Sequence, residues 1–74
     1  MAKLKILSGR EVCRILKQKG FAEVRQHGSH IIMQKKTEDS TITIPVPNHK
    51  EIRTGTLKSI IRQSRLNRSI FERQ

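Results

Sequence analysis

The first regular pattern of apolar and polar residues along the chain is helical and begins at Ser8. Ser8 and Glu11 have the spacing of a capping box, in which each side chain accepts a hydrogen bond from the backbone N–H of the other residue. Apolar residues then recur at helical spacing as far as Gly20, a glycine of the kind that commonly follows a helix. The pattern predicts a helix over about 8–19, with one face formed by Val12, Ile15, Leu16 and Lys19.

The pattern changes to alternation after Phe21, which is expected to pack directly behind the helix. His27 and Gly28 form a tight-turn pair in which Gly28 can adopt a positive φ. Pro45 and Pro47 are expected to end the sheet, because proline has no N–H to donate to a neighbouring strand. The three predicted strands cover residues 22–26, 29–36 and 41–44.

Helical spacing returns nearer the end of the chain. Residues 48–54 form a charged loop, and Gly55 and Thr56 open a second predicted helix. Asn67 is placed to cap a last helical turn through Ile70 and Phe71. The inner face of the second helix would carry Leu57, Ile60, Ile61 and Ser64, and its outer face Lys58, Arg62 and Arg65.

The predicted order of elements is α-β-β-β-α, within a single domain over residues 1–74. Three antiparallel strands need one covered face, so the two amphipathic helices are expected to pack on one face of the sheet. The fold class is therefore α+β. This is the layout of a double-stranded-RNA-binding domain, a fold that recognises A-form RNA through 2′-hydroxyl and phosphate contacts. The opposite face of the sheet would be open to a ligand.

The net charge narrows the classes of ligand. Sixteen lysine and arginine residues against six acidic residues give +10, which favours nucleic acid, an anionic membrane or an acidic protein. A membrane is disfavoured, because the longest apolar runs fall far short of the roughly 20 residues of a spanning helix. A surface that stacks successive bases is also disfavoured, since the chain lacks Trp and Tyr and its only Phe residues are Phe21 and Phe71.

Cysteine content and the first residues bear on the cellular compartment. Cys13 is the single cysteine, so no internal disulfide is expected, and its position on the first helix indicates packing rather than redox chemistry. Residues 1–7 lack the apolar core of a secretory signal. We therefore expect a cytoplasmic protein.

The candidate catalytic groups are histidines. The acidic residues are scattered and no His/Cys cluster has metal-ligand spacing, so neither a metal nor another cofactor is expected. Attack of an RNA 2′-oxygen on the adjacent phosphorus needs only a base, an acid and nearby cations, and histidine suits the proton transfers. His27 lies in the predicted turn, His30 near the start of the second strand and His49 in the charged loop. The residues alone do not choose among them.

Four segments carry a recognisable combination of motifs: LKQKGF at 16–21, VRQHGSH at 24–30, IPVPNH at 44–49 and GTLKSIIRQ at 55–63. They resemble the HicA (YcfA-like) family of bacterial toxins, the mRNA interferases of type II toxin–antitoxin pairs. The resemblance covers about residues 8–66, and the combination of Gly-Ser-His with Gly-Thr-Leu is its most specific part. Arg65 departs from the family, which commonly has a glycine after the second helix.

The resemblance implies a dsRBD-like fold and metal-independent cleavage of mRNA, with His30 as the catalytic histidine. Gly28 would allow close approach of the backbone, Ser29 would orient the imidazole or the phosphate, and His49 is the candidate for a second proton-transfer role. The implied partners are mRNA and a HicB-type antitoxin, and the free toxin is expected to be a monomer. Candidate phosphate contacts are Lys35, Lys36, Lys58 and Arg62.

Two other classes of function fit the same residues. A non-catalytic RNA-binding module of this fold would bind RNA with a steep salt dependence and leave it intact. A basic protein whose main ligand is an acidic protein would show no nucleic-acid affinity at physiological salt. Replacement of His30 separates the nuclease from both.

Overall fold

The computed structural model describes residues 3–73 and arranges them as helices on one side of a three-stranded antiparallel sheet. The strands lie in the order β1-β2-β3, and the elements follow one another as α-β-β-β-α, which confirms the predicted α+β, dsRBD-like fold. The elements are α1 (Gly9–Gln18), β1 (Ala22–His27), β2 (His30–Lys36), β3 (Thr41–Pro47), α2 (Thr54–Ser64) and a short 3₁₀ helix (Arg68–Phe71).

Helix α1 begins and ends as its sequence predicts. The Glu11 N–H donates to Ser8 Oγ at 3.1 Å, and the Ser8 N–H donates to Glu11 Oε1 at 2.9 Å, so the capping box is complete. The bond from the Ser8 backbone lowers the pKa of the Glu11 carboxyl, because it stabilises the carboxylate. Gly20 has φ +96°, a conformation that ends the helix, and Phe21 behind it is buried.

The core lies between the helices and the covered face of the sheet. Side chains on β2 and β3 alternate between this face and the opposite one, and on the inner face Ile31, Met33, Ile44 and Val46 are fully buried. Ile52, in the loop predicted to be merely charged, is also buried, and its N–H donates to Leu7 O at 2.7 Å. The core comprises Leu7, Val12, Cys13, Leu16, Phe21, Ile31, Met33, Ile44, Val46, Ile52, Leu57, Ile60, Ile61 and Phe71.

The predicted end of the third strand before Pro45 is wrong, because β3 continues to Pro47. β3 is an edge strand, and only every second residue of such a strand needs its N–H for the neighbouring strand. Asn48 N–H donates to Ser29 O at 2.6 Å, so the inward-directed N–H groups belong to the positions that alternate with Pro45 and Pro47. Both prolines therefore fit on the open edge.

The two ends of the described chain pair with each other. Lys5 N–H donates to Phe71 O, and Arg73 N–H donates to Lys3 O, each at 2.7 Å. The 3₁₀ helix near the C-terminal end is capped as predicted, since Asn67 Oδ1 accepts from the Ser69 N–H at 2.9 Å. These bonds hold the chain ends against the helical side of the molecule.

Arg65 ends α2 in the left-handed conformation, with φ 61°, at the position where a glycine was expected from the family resemblance. An L-residue is strained there, whereas glycine is not. We expect Arg65→Gly to raise the free energy of unfolding by about 0.5–1 kcal/mol, after allowance for the greater freedom of glycine in the unfolded chain. Thermal unfolding should show a midpoint a few degrees higher. Arg62→Gly, inside α2, is the control and should lower the midpoint.

Candidate active site

Two histidines face each other across the hairpin formed by β1 and β2. The connecting turn contains only Gly28 and Ser29, and its flanking residues His27 and His30 are direct partners in the strand register. Directly opposed residues of an antiparallel pair have Cβ atoms about 4.5–5.5 Å apart. The hairpin therefore brings the two imidazoles together.

Gly28 gives the turn its geometry. Its φ is +60°, whereas Ser29 has no positive φ, a combination found in type II′ hairpin turns with glycine at the first central position. A Cβ on Gly28 would meet nothing within 4 Å, so the constraint on this position is conformational rather than steric. Gln26 Nε2 donates to the Gly28 carbonyl at 3.2 Å, and the Ser29 carbonyl accepts from Asn48. These bonds tie the turn to β1 and to the end of β3.

The two histidines lie at a shallow depression on the face of the sheet that the helices leave open. Its volume is about 500 Å³. Ile32 forms an apolar floor, with only 9% of its surface exposed, and it is the register partner of Arg25 on β1 and of Pro45 on β3. The lining residues are Arg25, His27, His30, Ile32 and Pro45.

The depression is suited to an anion. Arg25 is exposed and forms no ion pair within residues 3–73, and none of the lining residues is acidic. Both histidines are exposed and can exchange protons with solvent or with a bound ligand. A phosphate diester placed on Ile32 would have a guanidinium and two imidazoles around it.

His49 lies at a different depression. That depression, about 220 Å³, is formed by the loop after β3 and the start of α2, and His49 shares it with Glu51, Arg53 and Thr56. The His49 backbone carbonyl accepts from the Gly9 N–H at 2.9 Å, which fixes the loop against α1. The structure thus does not place His49 among the residues that line the depression beside His30.

The basic residues predicted to contact phosphate are dispersed. Lys36 is on the open face but six residues along β2 from His30, about 20 Å away. Lys35 is turned to the helical side, where its Nζ donates to the Lys19 carbonyl at 2.9 Å and lies over the Phe21 ring. Two further candidates, Lys58 and Arg62, are exposed on α2.

Arg25 and His27 line the candidate site although the sequence pattern did not single them out. Arg25 was expected only to be part of a strand, and His27, one of the three candidate histidines, was expected to lie in the turn. Alternation along β1 puts both on the same face as His30, and this could have been derived once the turn was fixed at residues 28–29. The irregular register at Glu23 and Arg25, where Val24 has no partner, hides that alternation earlier in the strand.

Other kinds of chemistry have little support in the geometry. Among residues 3–73, no three His, Cys, Asp or Glu side chains lie close enough together to hold a metal ion. Burial raises the pKa of the Cys13 thiol, which keeps it protonated and unreactive at neutral pH, in agreement with the predicted packing role. In the described part of the chain no helix has the length and apolar character needed to cross a membrane.

Comparison with known proteins identifies a family for this arrangement. A family model described as the HicA toxin of bacterial toxin–antitoxin systems matches residues 9–66, from the first residue of α1 to just beyond α2. No curated protein and no solved structure shows significant similarity to the chain. The matched segment contains the whole sheet, the depression and both helices, and the chain therefore belongs to the HicA family of bacterial toxins.

Proposed function

We propose that this toxin is an endoribonuclease that cleaves mRNA without a metal ion or cofactor, with His30 as a general acid or base. The observation that carries the proposal is the position of His30, exposed beside Arg25 on the uncovered face of the sheet in a chain of the HicA family. The other side of the sheet is filled by the core, so this face is where an extended RNA backbone has access.

The proposed reaction is a transesterification within the RNA chain. A base removes the proton from the 2′-hydroxyl, and the 2′-oxygen forms a bond to the adjacent phosphorus. The bond from phosphorus to the 5′-oxygen breaks, its electron pair goes to that oxygen, and an acid supplies the proton. The products are a 2′,3′-cyclic phosphate and a 5′-hydroxyl. Histidine can perform either proton transfer near neutral pH.

Arg25 is the proposed cation at the reacting phosphate. Negative charge builds up on the non-bridging oxygens as the 2′-oxygen attacks, and a guanidinium offers two parallel N–H donors to such oxygens. Ile32 and Pro45 supply an apolar floor that strengthens this interaction by keeping water from one side. The net charge of +10 adds a long-range attraction for RNA that does not depend on its sequence.

The protein partner implied by the HicA family is a HicB-type antitoxin. We further propose mRNA as the target, the cytoplasm as the place of action and a monomer as the free form of the toxin. Among residues 3–73, the large apolar side chains that are exposed are Ile6 and Val24, and their positions on different segments support the last point.

The test is a cleavage assay with the purified toxin, an RNA strand and a metal chelator. We expect cleavage with 2′,3′-cyclic phosphate and 5′-hydroxyl ends. A strand with a single 2′-deoxynucleotide on the 5′ side of the mapped cleavage site should remain intact there, because the nucleophile is missing. RNA that is bound but never cleaved would contradict the proposal and support a non-catalytic RNA-binding module. Cleavage of the deoxy linkage would contradict the mechanism.

A further inference from the structure

We propose that His27 is the second proton-transfer residue of the site, so that His27 and His30 act as an acid–base pair on one phosphodiester. The inference rests on the proposed ribonuclease function and assigns the role that the sequence analysis gave to His49. Cleavage by 2′-oxygen attack needs one group to take a proton and another to give one.

The hairpin register places His27 correctly for this role. His27 and His30 are opposite each other, on the same face of the sheet, and both line the depression over Ile32. The attacking 2′-oxygen and the leaving 5′-oxygen lie on opposite sides of the same phosphorus. Two imidazoles that begin at neighbouring Cβ atoms can therefore reach the two oxygens, one on each side, while Arg25 approaches the non-bridging oxygens from the same strand.

The alternative partner, His49, lacks this arrangement. It lies in the loop after β3 and lines the depression formed with the start of α2. Its backbone carbonyl is bonded to the first residue of α1, which fixes that part of the loop. The neighbouring Asn48 N–H is bonded to the Ser29 carbonyl, but His49 itself lines the other depression and is not among the residues that line the one over Ile32.

The two histidines exchange their protonation states in each cleavage event. One begins neutral and takes the 2′-proton as the oxygen–phosphorus bond forms. The other begins protonated and gives its proton to the 5′-oxygen as the phosphorus–oxygen bond breaks. No net proton is gained or lost, and exchange with solvent returns the exposed pair to the starting state.

A substrate with sulfur in place of the bridging 5′-oxygen separates the two roles. A thiolate leaves without being protonated, so loss of the acid has little effect on cleavage of this substrate, whereas loss of the base still blocks it. The experiment uses single-turnover rates at saturating full-length toxin, on the oxygen and sulfur versions of an RNA with the mapped cleavage site. The variants are His27→Gln, His27→Lys, His30→Gln and His49→Gln.

We expect His27→Gln and His30→Gln each to slow cleavage of the oxygen substrate by about 10²-fold or more. On the sulfur substrate only one of the two variants should regain a rate near that of the unchanged toxin. The histidine that is replaced in this variant is the acid. His27→Lys tests a purely electrostatic role, because lysine keeps a positive charge without matching the proton-transfer chemistry of an imidazole. Cleavage of the oxygen substrate by His27→Lys should remain slow.

Several results would overturn the inference. One is a wild-type cleavage rate for His27→Gln on the oxygen substrate, and another is a recovered rate for His27→Lys on that substrate. The others are an equally slow rate for His27→Gln and His30→Gln on the sulfur substrate, and a loss of cleavage in His49→Gln that His27→Gln does not share. Thermal unfolding and binding of the 2′-deoxy strand, measured on the same preparations, exclude misfolding as the cause of a loss. Failure of the ribonuclease proposal is distinct, since the unchanged toxin would then leave RNA intact or His30→Gln would cleave it normally.

Discussion

Replacement of His30 by alanine is expected to slow RNA cleavage by about 10²–10⁴-fold while leaving the fold intact. His30 is exposed at the first position of β2, so its side chain contributes little to the core. Its replacement would remove the proposed proton-transfer group without opening a cavity. Cleavage rates under single-turnover conditions, together with binding of an uncleavable 2′-deoxy strand, measure the two properties separately. Induced expression in bacteria makes the same comparison in cells. The unchanged toxin should arrest growth, and the variant should not.

The matched control for His30→Ala is Gln18→Ala. Gln18 is also exposed and polar, but it is the last residue of α1, on the helical side of the molecule. Its replacement should leave cleavage and growth arrest unchanged. Undiminished cleavage by His30→Ala would refute the assignment of His30. Equal losses of cleavage and of binding to the deoxy strand would instead indicate that His30 serves binding.

Replacement of Gly9 by alanine is expected to lower the free energy of unfolding by about 2–3 kcal/mol. A Cβ on Gly9 would overlap the carbonyl oxygen of Pro47 and lie 3.0 Å from Asn48 Cα, both of them backbone atoms that cannot rotate away. Helix α1 is held in this position because the Gly9 N–H donates to His49 O. The helix and the end of β3 would have to separate. For a domain of this size, thermal unfolding should show a midpoint lower by roughly 10–20 °C.

Gly55→Ala is the matched control for Gly9→Ala. Gly55 is also near the start of a helix, but a Cβ there would meet nothing within 4 Å. Alanine should therefore leave stability unchanged or raise it, since it has the higher helix propensity. An unchanged midpoint for Gly9→Ala would mean that α1 can move away from β3 without cost, contrary to the close packing described above.

The sequence predicted those parts of the fold that depend on local signals. The capping box at Ser8 and the glycine at position 20 bounded α1 correctly because both act within a few residues. The inner face of α2 was predicted residue by residue from helical spacing alone. The strand β3 was ended too early at Pro45, since its position at the edge of the sheet is a property of the whole topology.

The site was less predictable, because a shift of the strand register by a single residue changes which side chains face it. The turn was assigned to His27 and Gly28, whereas the chain reverses at Gly28 and Ser29. That shift of one position makes His27 a strand residue opposite His30 instead of a solvated turn residue. Lys35 shows a second limit. Its bond to Lys19, sixteen residues away, follows from the packing of α1 on the sheet and has no local signal.

The short span of the hairpin has a consequence for folding kinetics. Arg25, His27, His30 and Ile32 come from eight consecutive residues, so little chain entropy is lost when they meet. A hairpin of this kind closes in about 1–10 μs, before sequence-distant contacts such as those of the chain ends need to form. An isolated hairpin is only marginally stable in water, however. The two histidines can therefore meet early in folding, but they stay in register only once the helices have docked, and any variant that loosens the core lowers the fraction of molecules with an assembled site.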